Sequence, residues 1–274
     1  MSRWGFGIVR ADTVAAPQAV LAEICSLASA ATGETFVPLF AESYRELAAA
    51  LASGKAGLAW MPPIPAVDIE ESGAGAVLAL PARKGSATYH AALIARRGGA
   101  RTIQEYAGKR VAWVDAESAS GYVIPRLHLA SLGVDPTSFF GSETFVKTHM
   151  AVVEAVLAGR ADVGATYCNF EAGTKNVSNA GWTDADGSNA RAVEVLTTAG
   201  PIPNDAIVGS SKLPLPTRAA VTRFLLEVSA REKQLFEQLL RATEFRVSRA
   251  GHFEPLKHMV RIARVRGMSI PPPR

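Results

Sequence analysis

The chain is short of several things that would have pointed to a particular chemistry. No apolar run approaches the ~20 residues that cross a bilayer, so no membrane span is expected. There are only two cysteines, Cys25 and Cys168, far apart and in no metal or redox spacing. Cys25 falls in an apolar helical pattern and reads as core. No nucleophile–base pair, metal cluster or cofactor lysine stands out. The expectation is therefore no catalytic residue, no metal and no cofactor. The opening, MSRWGFGIVRADT, has one early arginine and then strand-like alternation, without the apolar core or small-residue cleavage site of a secretory signal. On that reading the protein stays in the cytoplasm, unless a signal was removed and Met1 added.

What is present suits two lobes. A length of 274 residues is long for one core. The chain is 48% hydrophobic and 20% charged, ordinary for a globular protein. Its net charge of +4 is uneven, because basic residues outnumber acidic ones from Lys212 onward (Arg218, Arg223, Arg231 through to Arg264 and Arg266). They are spaced along expected helices with no aromatic interleaving. A solvated helix face is the reading, and no nucleic-acid partner is expected.

Strand and helix patterns alternate along the chain. Strands are expected at 4–9, 35–40, 56–60, 76–80, 89–95, 109–114, 139–146, 162–167 and 191–196. Helices are expected at 15–31, 43–52, 122–132, 149–157, 216–228, 231–242 and 254–264, with a short one after Thr102. Ser43 and Glu46 have the spacing of a capping box. Residues 61–65 and 200–205 read as turns, and 174–189 as a polar surface loop. This order predicts an α/β fold with mainly parallel sheets. A lobe of residues 89–190 is expected to be inserted between the two parts, 1–88 and 191–274, of the other. In such sheets ligands bind beyond the carboxyl ends of the strands.

The stretch 115–125, DAESASGYVIP, lies at one such end. It follows the apolar run KRVAWV and precedes a helical pattern stopped by Gly133. The first N–H groups of a helix lack internal partners and carry the positive end of its dipole. Ser118, Ala119, Ser120 and Gly121 there could seat an anion. Ordinary capping by Ser118 or Ser120 explains the same residues. Pro125 predicts an irregular first turn.

Four pieces of the chain, in order, carry a resemblance: SASGYVIP at 118–125, FVKTHMAVVEAV at 145–156, GRADVGA at 159–165 and PIPND at 201–205. Together they resemble the substrate-binding proteins of ABC transporters for phosphonate, phosphite and related oxyanions, which have the two-lobed type II periplasmic binding fold. The resemblance implies an interlobe cleft in which Ser118, Ala119, Ser120 and His149 hold the oxyanion, and Tyr44 and Tyr89 close over it. It implies that Asp205 reads an amino group on aminoalkylphosphonates. A second acid used for that role falls at Asn169, a departure that speaks against an amino ligand. Trp60, at a strand end, fits either the cleft or the core. The implied partners are a small oxyanion such as phosphonate, phosphite or phosphate and an ABC permease. The protein is expected to be a monomer, and periplasmic by resemblance. A dianion beside His149 is expected to favour the protonated ring, so that affinity falls as pH rises from ~6 to ~8. Two other uses of the fold remain open at this stage: a cytoplasmic enzyme, with His149 as its acid–base group, and a ligand sensor.

Overall fold

The computed structural model describes residues 3–9, 17–83, 86–171, 173–184, 186–242, 244–249 and 251–265. The chain begins with β1 (Arg3–Val9), α1 (Pro17–Thr32), β2 (Thr35–Ala41), α2 (Tyr44–Ser53), β3 (Ala56–Met61), α3 (Pro63–Glu71) and β4 (Gly75–Ala82). It continues through β5 (Thr88–Arg96), a 3-10 turn (Ile103–Tyr106), β6 (Arg110–Trp113), a π-helical turn (Ala119–Val123), α4 (Ile124–Ser131), β7 (Ser142–Phe145) and α5 (His149–Leu157). Then come β8 (Val163–Phe170), β9 (Val177–Ala180), α6 (Ser188–Ala192), β10 (Val193–Pro203), β11 (Ala206–Ser210), α7 (Leu215–Leu226), α8 (Ala230–Leu240), β12 (Glu244–Arg246) and α9 (Glu254–Val265). Three expectations fall partly outside the described residues: the first two positions of the 15–31 helix, position 185 of the 174–189 loop, and Arg266.

The chain divides into two compact units. The first takes the described residues of Met1–Ala87 and Pro203–Pro255, and the second those of Thr88–Ile202 with α9 from Leu256. The sequence reading had put the final helix in the first unit. It goes with the second, where Leu256 and Val260 are buried and Met259 and Ile262 face residues of α4, β8 and β10.

The first unit holds a six-stranded sheet in the order β12-β4-β11-β3-β1-β2. β1 is parallel to β2 and β3, whereas β11 is antiparallel to β3 and β4. In α1 the buried residues Val20, Leu21, Ile24, Cys25 and Ala28 recur at helical spacing and supply one wall of the core with Phe6, Leu58 and Phe236. The second unit's sheet runs β10-β5-β8-β6-β7, with β9 paired to the outer part of β8. β6 is parallel to β7 and β8, and β5 is antiparallel to β8. Both sheets are thus mixed rather than mainly parallel. Two of the antiparallel members, β5 and β11, begin just after the chain has changed units, so no crossover helix precedes them to set a parallel return; β12 is also antiparallel, to β4.

Candidate functional site

β6 and β7 are adjacent and parallel, so the loops that follow them leave the sheet at the same edge. After β6 the chain turns sharply. Asp115 Oδ1 accepts from Glu117 N–H at 3.1 Å, and Ser118 N–H donates to Asp115 O. Ser118 Oγ then accepts from Gly121 N–H at 3.1 Å. Ser118 is therefore the cap, as one of the two readings required. The turn that follows is π-helical, and Pro125 sits in the first turn of α4, where its missing N–H is least missed. A Cβ on Gly121 would meet Val114 and would lie 2.8 Å from Ser118 Oγ, so only glycine lets the turn pack this close to β6. Ser120 is 2% exposed, and its hydroxyl has no hydrogen-bond partner among the described residues. Its donor is therefore unspent, at the start of a helix where an anion's oxygen could take it.

After β7, Lys147 takes a left-handed backbone with φ 74°. Its N–H donates to Val114 O at 2.8 Å, and its ammonium pairs with Asp115 at 3.1 Å. Thr148 then caps α5, accepting from Ala151 N–H. His149 begins that helix. Its Nδ1 is 3.0 Å from Thr166 Oγ1 on β8, and its ring stands edge-on to Tyr167 at 5.0 Å. Gly181 makes room for this contact, because a Cβ there would collide with the Thr166 hydroxyl. Loss of water pushes the His149 imidazole down from 6.5 to about 4. The ring is thus neutral near pH 7 in the unliganded protein. In the tautomer in which Thr166 donates to Nδ1, Nε2 carries the hydrogen and is a donor.

The second unit therefore brings together, at one sheet edge, the turn of Ser118, Ala119 and Ser120 with the loop that carries His149. Asn169 lies further along β8, opposite Asn179 of β9. Its side-chain amide makes no hydrogen bond among the described residues. Tyr89 is half-buried near the start of β5.

Tyr44 and Asp205 belong to the first unit. Tyr44 is the first residue of α2, directly after the cap Ser43. Glu46 accepts from Glu42 N–H rather than from Ser43, so the expected capping box reaches one residue further back. Asp205 accepts from Arg83, whose guanidinium also donates to Leu240 O. Its charge is already matched within the protein. Trp60 packs against the core of the first unit, and its indole N–H is buried without a partner among the described residues. Sequence reasoning passed over Thr166, Asp115 and Lys147. A left-handed lysine has no sequence signature, and the other two become visible only once β6, β7 and β8 are side by side.

Among the described residues no group of three His, Cys, Asp or Glu side chains could hold a metal ion, and no helix is long and apolar enough to cross a membrane. Solved structures with this architecture include a Xanthomonas citri protein bound to ATP (TM-score 0.78, 17% identity, covering 98% of this chain and 100% of that one). A binding-protein component of an ABC phosphonate transporter from Pseudomonas aeruginosa matches with TM-score 0.70 at 19% identity, over 96% and 86% of the two chains. A Prochlorococcus marinus protein in complex with methylphosphonate matches with TM-score 0.71 at 15% identity, over 97% and 98%. The sequence pattern of the ABC transporter, phosphonate, periplasmic substrate-binding protein family matches residues 10–252. That match spans most of the chain and both units, and the chain belongs to this family of transport substrate-binding proteins.

Proposed function

We propose that the protein captures a small tetrahedral oxyanion of the phosphonate class and hands it to an ABC permease, without chemical change. The observation that carries this reading is Ser120, a buried residue whose hydroxyl makes no hydrogen bond among the described residues, in a turn that opens a helix. Backbone amides and the positive end of the helix dipole supply donors, and a serine hydroxyl can add another, which suits an anion. His149 adds a neutral Nε2–H donor from the neighbouring loop. Charge-assisted hydrogen bonds of this kind contribute ~1.5–3 kcal/mol each. Ala119 supplies its amide and no hydroxyl. Tyr44, Tyr89 and Asn169 are assigned to the organic part of the ligand, by the family resemblance and by their half-buried positions. Family membership and the methylphosphonate complex of the Prochlorococcus protein support the phosphonate class. Similar structures include an aliphatic sulphonate-binding protein of Escherichia coli, so the anion's central atom is a point for experiment.

Calorimetry with methylphosphonate, phosphite, phosphate and methanesulfonate tests the reading. Methylphosphonate should saturate one site. The double change Ser118→Ala and Ser120→Ala should weaken it at least tenfold, or ~1.4 kcal/mol. Binding of none of the four anions, or unchanged affinity in the double variant, refutes it.

A further inference from the structure

The second unit contains a cavity of about 1090 Å³ that none of the proposed anion-binding residues lines. Its walls are mostly apolar: Leu127 of α4, Phe170 and Val177 of the β8–β9 hairpin, Val195 of β10, and Met259 and Ile262 of α9. Val177 and Val195 are 41% and 38% exposed, so the apolar surface is open to solvent rather than closed off as core. Two polar groups on the lining stand apart. His90 Nδ1 is buried and has no hydrogen-bond partner among the described residues, although its ring packs edge-on against Phe170 at 4.9 Å. Lys175, at the hairpin tip, is exposed, and its ammonium has no ion pair among the described residues. The other histidine on the lining, His128, is satisfied by Thr197 Oγ1 at 2.7 Å. An apolar space of this size with a few unsatisfied polar groups has the make-up of a small-molecule site rather than of a packing fault.

We propose that this cavity is a second binding site, for an amphipathic carboxylate whose alkyl chain lies on the apolar walls and whose anionic head is taken at the Lys175 end. The unpaired ammonium complements one negative charge, and His90 Nδ1 offers a single further hydrogen bond inside. A bare oxyanion would leave the apolar walls wet, and a neutral hydrocarbon would leave both polar groups unmatched. The site is distinct from the anion turn, so the two ligands should bind independently.

The test uses the full chain and sodium decanoate, with decan-1-ol as the uncharged control, by calorimetry. Decanoate should saturate one site and should not be displaced by methylphosphonate. Lys175→Met should weaken decanoate about tenfold while leaving decan-1-ol unchanged, because only the charge-assisted contact is lost. Val177→Glu, which puts a charge on the wall, should weaken both and leave methylphosphonate affinity as it was. Absence of saturable decanoate binding, displacement by methylphosphonate, or equal effects of Lys175→Met on acid and alcohol would each overturn the proposal. Lys175 is exposed on a hairpin tip, so its variant is expected to fold; a melting curve checks this.

Discussion

The surroundings of His149 bear on the role expected of it. From the sequence, a dianion was expected to meet a protonated ring. In the unliganded structure the ring faces Thr166 and Tyr167, and burial pushes it down to about 4. As proposed above, it would meet the anion as a neutral donor, and its own ionisation should leave anion affinity flat between pH ~6 and ~8. The same shift predicts an effect on stability. Between its ordinary value of 6.5 and about 4 the unfolded chain binds a proton that the folded ring refuses. Stability contributed by this group is thus present above ~6.5 and lost as pH falls through that window, by up to ~3 kcal/mol. Urea midpoints measured from pH 7 to pH 4.5 should drop more steeply for wild type than for His149→Gln. Parallel pH profiles for the two proteins would show that the ring is not desolvated.

At the level of elements, the two loops after β6 and β7 hold each other. Val114 O accepts from Lys147 N–H, and Asp115 holds the Lys147 ammonium. The left-handed backbone of Lys147 is strained for a residue with a Cβ, at ~1–3 kcal/mol, so Lys147→Gly should raise the melting temperature by the equivalent of up to ~1 kcal/mol despite the lost surface ion pair. A lower melting temperature would mean that the pair with Asp115 outweighs the strain. Gly121→Ala should act in the opposite sense, destabilising by ~1–3 kcal/mol and weakening methylphosphonate, because the turn must move off Val114. Unaltered affinity in that variant would detach the turn from the anion. Much of this level was legible in the sequence. Ser118 was one of the two expected caps, and Pro125 marked the irregular turn. Other elements were hidden for physical reasons. α3 begins among three prolines, which read as a turn, yet Pro63 suits a first helical position where no N–H is needed. β9 is a four-residue strand, half of it polar, at the outer part of β8, and within it only Ala180 is buried. β11 follows PIPND so closely that the turn signal masked a five-residue strand buried along its whole length.

For the whole molecule, the open question is which head group and which substituent the protein accepts. Asp205 bears on the substituent. Its carboxylate lies against Arg83, with the two side chains 21% and 30% exposed, so a ligand amino group would have to compete for it. Ethylphosphonate and 2-aminoethylphosphonate should therefore bind within about threefold of each other, a difference of under ~1 kcal/mol. Asp205→Asn should lower stability by ~1–2 kcal/mol by leaving Arg83 unmatched, and should not alter that ratio. A tenfold preference for the amino compound, lost in Asp205→Asn, would show that the ligand does take the carboxylate from Arg83. The Thr166 hydroxyl occupies the space that a side chain at position 181 would need. In evolutionary terms the two positions are one character. A relative that places even an alanine at 181 must shorten the residue at 166, and in doing so it removes the group that faces His149 Nδ1. Such lineages should show paired replacements at 166 and 181, with the histidine then free to drift.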